Sequence, residues 1–273
     1  MRRMEINSLK TLADSADGGG YTLPAELLDA LRTYRRVTEL EYPDAQHFDA
    51  EGAATRLVSA LAAGENPNID ALVSQASEAE RDSRAIEQVR TITALALERA
   101  AFAATALCSD LTERIIRDHL RPAFDTLLED IQDKANALAA VGLDPHALIT
   151  APAKARHAYV KLPELAARHR TIWNARHLVN TIGARKAEHD VAGLFTEFAD
   201  PLALRPGWKL PAPVPLLEAP TDVHERLLWL VSDAIAPGKP WLPTLAEQDA
   251  AWLEQFEASA LRAAPWGRVV ANA

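Results

Sequence analysis

Between Asn68 and Gly142 the chain holds no glycine and a single proline, Pro122. Glycine and proline are the residues that stop helices, so this stretch predicts one helical segment far longer than the usual three or four turns. In its second half Leu120, Phe124, Leu127, Ile131, Leu138 and Val141 recur at spacings of three and four, with Ala135 filling the intervening seam position. That spacing puts them on one face of a helix. The first half carries a weaker seam of Leu72, Ala76, Ala79 and Ile86, interrupted by Ser83, and its centre from Ala94 to Ala106 is rich in small residues. Pro122 removes a backbone donor and clashes with the preceding turn, so a kink or break is expected between His119 and Pro122. The fold class that follows is all-α: a long, kinked helical hairpin or coiled-coil-like spine with a smaller Pro/Trp-rich helical region after it.

Composition agrees. Alanine, the best helix former, supplies 53 of 273 residues, and aromatics are only 6%. The lone Cys108 excludes an intrachain disulfide framework and reads as a buried thiol, because no His or basic residue adjoins it. The N-terminus has no apolar core of a signal peptide, and the most apolar window, Ala94 to Cys108, is interrupted by Glu98 and Arg99 and is short for a bilayer. A cytoplasmic protein without a membrane partner is therefore expected.

Four regions follow along the chain. Residues 1–20, ending in Gly18-Gly19-Gly20, read as a flexible leader. Residues 21–142 form the long-helix domain, opened by helices from Thr22-x-Pro24 to about Glu41 and from Asp49 to Gly64, whose apolar sides include Leu27, Leu31, Tyr34, Leu40, Leu57, Val58 and Leu61. Residues 143–187 are a basic helical segment, with Asp144-Pro145 and Pro152 as a connector and a helix at 162–182 bearing Leu165, Ile172, Ala175, Val179 and Ile182 on one stripe. Residues 188–273 hold a short helix near 191–199, an extended arm over 200–222 with six prolines, and two terminal helices near 222–234 and 244–264. All six Trp residues lie beyond residue 172.

Charge is sharply segregated. The chain's net charge of −9 hides a segment, 151–187, that carries eight Arg and Lys against one Glu. On a helical wheel Arg168, His169, Arg170, Trp173, Arg176 and His177, followed by Arg185 and Lys186, make a candidate face for a polyanion or for docking. Guanidinium groups fork onto phosphates and an indole offers a stacking platform. The same face could instead dock on an acidic ladder, Asp125, Glu129 and Asp133, which stand four residues apart on the long helix. The arm bearing Pro206, Trp208, Pro211, Pro213 and Pro215 is a candidate partner-binding strap, since an extended segment loses little further entropy on binding.

Catalytic signatures are weak. The acidic ladder lacks the Glu-x-x-His of carboxylate-bridged metal bundles. His224-Glu225 begins a zinc-protease motif, but Leu228 stands where the second His is required. His189-Asp190, with His157 or His177 before it and Asp222 or Asp233 after it, invites comparison with all-helical metal-dependent phosphohydrolases, yet it follows a charged run and not a buried helix. No cofactor or metal is expected. The reading that results is a non-catalytic helical structural, assembly or interaction protein that self-associates or binds a protein partner. A nucleic-acid- or phosphate-binding module is the alternative, and a helical hydrolase is the weakest. A long helix, a proline arm and no catalytic motif are also common among virion-assembly proteins of bacteriophages, an association that no residue motif here carries.

Overall fold

The computed structural model describes residues 2–40, 49–62, 68–183, 193–204 and 219–263. Thirteen α-helices run through them: α1 (Arg2–Asp14), α2 (Ala16–Gly19), α3 (Ala25–Thr38), α4 (Ala50–Ala62), α5 (Ile69–Asp110), α6 (Thr112–Arg114), α7 (Arg121–Leu138), α8 (Pro145–Thr150), α9 (Ala153–Ile182), α10 (Gly193–Glu197), α11 (Pro201–Leu204), α12 (Val223–Leu230) and α13 (Leu245–Ala263). Among the described residues there is no strand, only an isolated bridge between Phe198 and Pro240. The chain is all-α, as its sequence implies.

The chain forms two compact units, residues 29–104 and the remainder, 1–28 with 105–273. In the second of these, α7 packs along α9, α1 and α2 also lie on α9, and α12 touches both α7 and α9. The seam read from the sequence is the one that is buried: Leu120, Phe124, Leu127 and Ile131 are at most 1% exposed. They face the α9 stripe, of which Leu165, Ile172, Ala175, Val179 and Ile182 are all buried. A satellite core of Leu138, Leu148, Ala151, Ala155, Ala158 and Leu162 closes the far end. Helix α9 begins nine residues before the expected start and accommodates Pro163 within it.

Several local choices have identifiable causes. The side chain of Asn68 accepts from Ala71 N at 3.0 Å and starts α5. Asp49 does the same for α4, Asp144 for α8 and Asp222 for α12. Residues 145–150, expected as a connector, are thus a capped helix with Pro145 in its first turn. At α13, Thr244 Oγ1 accepts from Glu247 N while the Glu247 carboxylate accepts from Thr244 N, a reciprocal capping box. Gly142, at φ 70°, ends the α7 turn with its N–H on Leu138 O.

The break near Pro122 takes a particular form. After α6 the backbone widens into a π-helical turn, Ile115–Leu120, and Arg121 N donates to Ile116 O, five residues back. The wider turn delivers Pro122 into the opening of α7, where a missing N–H costs little.

Residues 1–20 differ from expectation. Arg2–Asp14 is a helix whose Ile6, Leu9 and Leu12 are buried. The glycines form the end of α2, with Gly20 at φ 67° as its left-handed cap. Tyr21 locks this corner: its buried hydroxyl donates to Leu12 O at 2.7 Å and lies 2.8 Å from Ser15 Oγ. Burial raises its pKa. Apolar spacing at 6, 9 and 12 was the signal that outweighs the glycines.

Within the unit 29–104, Tyr34, Ala53, Thr93 and Ala104 are the buried side chains among the described residues. Leu72, Ala76, Ala79, Ser83 and Ile86 of α5 are half-buried on one side, matching the weaker seam and including the serine that interrupts it. Leu40 and Val58, expected on apolar inner sides, are exposed.

Candidate functional site

The basic segment folds inward. On α9, Arg168 is a hub: Nη1 donates to Asp130 at 2.8 Å, Nε to Gly19 O at 3.3 Å and Nη2 to Ala123 O at 3.4 Å. One side chain thereby ties α2, α7 and α9. Arg176 is buried, its Nε donating to Pro243 O at 2.7 Å and its Nη2 to Gln248 Oε1 at 3.0 Å. Its guanidinium lies 5.5 Å from the Trp173 ring centroid, a cation–π contact. Burial lowers its pKa to about 10. From α7, Arg121 donates to Leu242 O and pairs with Glu247. Two arginines on two helices therefore grip the segment that leads into α13.

His169 is not a cation at neutral pH. Burial first, and the nearby Arg226 second, lower its pKa to about 4. Its Nε2 accepts from Trp173 Nε1 at 3.0 Å, which places the ring proton on Nδ1. Trp173 meets Phe124 edge-on at 6.1 Å between centroids, joining the pair to the α7 seam. Of the eight residues expected on a polyanion or docking face, Arg168, His169, Trp173 and Arg176 are absorbed into contacts within the protein. Arg170 and His177 are exposed, and Arg185 and Lys186 lie outside the described residues. The wheel angle misplaced Arg176, which sits four residues after Ile172 and three before Val179, at the edge of the apolar stripe.

Helix α9 does dock on α7, but through a different carboxylate. Asp125, Glu129 and Asp133 are exposed. Arg168 takes Asp130 instead, and Asp133 pairs with its neighbour Lys134 at 2.7 Å. The hydrogen bond and charge of Lys134 hold the Asp133 carboxyl below its usual range. Asp130 is one residue off the ladder and closer to the buried seam, so it is the acid that α9 can reach. The arm residues Pro206, Trp208, Pro211, Pro213 and Pro215, and the dipeptide His189-Asp190, lie outside the described residues. Asp222 is engaged in capping α12. Among the described residues no cluster of His, Cys, Asp or Glu could hold a metal ion.

The second candidate surface was not singled out as a site from the sequence. Val73, Val89, Ile92, Leu95 and Phe102 of α5 are exposed, Ile92 at 65% and Phe102 at 56%. The last four lie three, three and seven residues apart, within one side of the helix. The stretch of α5 from Asp70 to Asp110 contains a window of mean hydropathy 1.3, only 22% of it buried, so by length and composition it could cross a membrane. This differs from the expectation set by the shorter window of 94–108.

Comparison with known families, with curated proteins and with solved structures finds no match for this chain.

Proposed function

We propose that this chain is a non-catalytic helical assembly protein that works by binding a protein partner, a second copy of itself included, through the exposed side of α5. The carrying observation is the row Val89, Ile92, Leu95 and Phe102, large apolar side chains that stay between 48% and 65% exposed on a 42-residue helix. Large apolar side chains exposed along one side of a helix are what interaction sites present. The inward use of Arg168 and Arg176 supports the same reading, because it diverts two arginines of the basic segment from external phosphate.

The test is a solution mass by light scattering at low and high salt. Association through an apolar face survives high salt and returns a multiple of 29.7 kDa, and Ile92→Glu with Phe102→Glu reduces it to the monomer. A compact monomer that also captures no protein through this face would sink the reading, and flotation with lipid vesicles would assign α5 to a membrane instead. Polyanion binding is a second reading, supported by the exposed Lys154, Arg156 and Arg170 of α9. It expects affinity for single-stranded nucleic acid that falls steeply with salt and weakens in Arg170→Glu.

A further inference from the structure

Helix α5 carries two apolar stripes on opposite sides. One is the half-buried seam of Leu72, Ala76, Ala79 and Ile86. A helix that packs through one side alone keeps the other polar. The outer side of α5 holds a seven-residue repeat instead. Val89, Ala96 and Ala103 form one column, Ala85 and Ile92 a second, and Leu95 and Phe102 a third. All of them are exposed except Ala96, which is half-buried.

Steps of four and three between such columns are the seam of a helix that lies along another helix. A lipid surface rewards a broad apolar face, and this stripe carries charge inside its own columns. Asp82 stands seven residues before Val89, and Arg99 seven residues after Ile92, both exposed. These two charges select the partner. In a parallel, in-register pair of α5 helices Asp82 would meet Asp82 and Arg99 would meet Arg99, a repulsion at each end. An antiparallel pair exchanges the two columns. With Val89 set against Ile92 of the second copy, Ala85 faces Ala96 of the second copy and Asp82 faces its Arg99. Each of these pairings occurs twice, as a two-fold interface requires. An apolar centre is thereby closed at both ends by opposite charges. Arg81, exposed and in the column of Leu95 and Phe102, falls beside Phe102 of the second copy, a cation against an aromatic face.

We propose that the occupant of the exposed side of α5 is α5 of a second copy of this chain, antiparallel and centred beside Thr91, with Asp82 and Arg99 fixing direction and register. This rests on the assembly reading and narrows it from any protein partner to the chain itself.

The test is charge reversal in the full chain. Asp82→Lys alone sets cation against cation at both ends of the pair, and Arg99→Glu alone sets anion against anion. Each variant should dissociate at least about tenfold more readily than the wild type in analytical ultracentrifugation, with helical content unchanged by circular dichroism. An equimolar mixture of the two variants restores opposite charges at both ends and should associate as the wild type does. Positions 82 and 99 are about 25 Å apart along one helix, so this rescue passes only between chains. Spin labels then read the direction. Attached through Ser77→Cys they should lie about 40 Å farther apart along the axis than through Thr91→Cys. Both positions are exposed, and the native Cys108 is buried away from the label. Equal separations at the two positions, or no rescue in the mixture, overturn the proposal. A wild type that stays monomeric at high micromolar concentration overturns it as well. If that monomer still binds another protein through Ile92 and Phe102, the assembly reading stands without it.

Discussion

The unit 29–104 and the α7–α9 layer are made of the same material, alanine-rich helix, and keep it dry to very different degrees. Phe124 on α7 is 1% exposed and Phe102 on α5 is 56% exposed. The layer is also pinned by groups that reach across sequence: Arg168 joins three helices and Arg121 and Arg176 hold the approach to α13. Among the described buried side chains of residues 29–104, the large ones reduce to Tyr34. Helical propensity makes both regions helical, while stability is set by what each helix buries.

The sharpest way to break this contrast is to truncate the two phenylalanines. Phe124→Ala should cost about 3–5 kcal/mol of unfolding free energy, from lost transfer energy and the cavity left behind. Phe102→Ala, at a side chain more than half exposed, should cost no more than about 1 kcal/mol in the dissociated protein. Tryptophan fluorescence suits the measurement, because residues 29–104 contain no Trp while Trp173, Trp229, Trp241 and Trp252 belong to the unit that contains Phe124, whereas far-ultraviolet circular dichroism reads both units. A urea titration in which the two signals coincide for the wild type would contradict the difference in stability.

A somewhat smaller effect tests the dry cluster at His169. Its pKa is about 6.5 unfolded and about 4 folded, so the unfolded chain binds more protons between those values. Stability is then fully present above about pH 6.5 and falls as pH drops towards 4, by roughly 3 kcal/mol. Asp, Glu and other groups titrate nearby, so the reading is the difference from His169→Gln, whose amide oxygen can still accept from Trp173 Nε1 but does not titrate in this range. Identical pH profiles for the two proteins would mean that the imidazole is not desolvated.

The smallest effect compares two arginines six residues apart on α9. Arg176→Met should cost about 2 kcal/mol, since Pro243 O and Gln248 Oε1 lose charge-assisted donors inside the protein. Arg170→Met, at an exposed position, should change stability by less than about 0.5 kcal/mol. Equal losses would show that α9 does not present the faces described.

The same pair shows how far the sequence could be read. Spacing alone put Phe124, Leu127 and Ile131 on one apolar face and Ile172 and Val179 on another, because a 3.6-residue period needs no partner to be visible; that the two faces meet is a finding of the structure. Helix boundaries at Asp49, Asn68, Gly142, Asp222 and Thr244 were legible for the same reason, being set by local chemistry within a few residues. Arg176 was not, since what buries it is a carbonyl and an amide about seventy residues later. Arg168 chose Asp130 over the regular ladder because the meeting of α7 and α9 is fixed by seam packing, which a charge count does not contain. The π-helical turn before Pro122 was beyond reach as well. A proline says that the hydrogen-bond ladder must be interrupted, and the packing of Ile115, Ile116 and Leu120 decides how.

Cys108 is fully buried and its thiol is pushed up to about 12 by burial. A protonated, enclosed sulfhydryl cannot attack a disulfide or be captured by one. Two chains brought side by side along α5 would hold the only cysteine each possesses on that same helix, where an accessible thiolate would weld one such pair to the next on the first exposure to an oxidant. Hidden sulfur keeps any such association reversible.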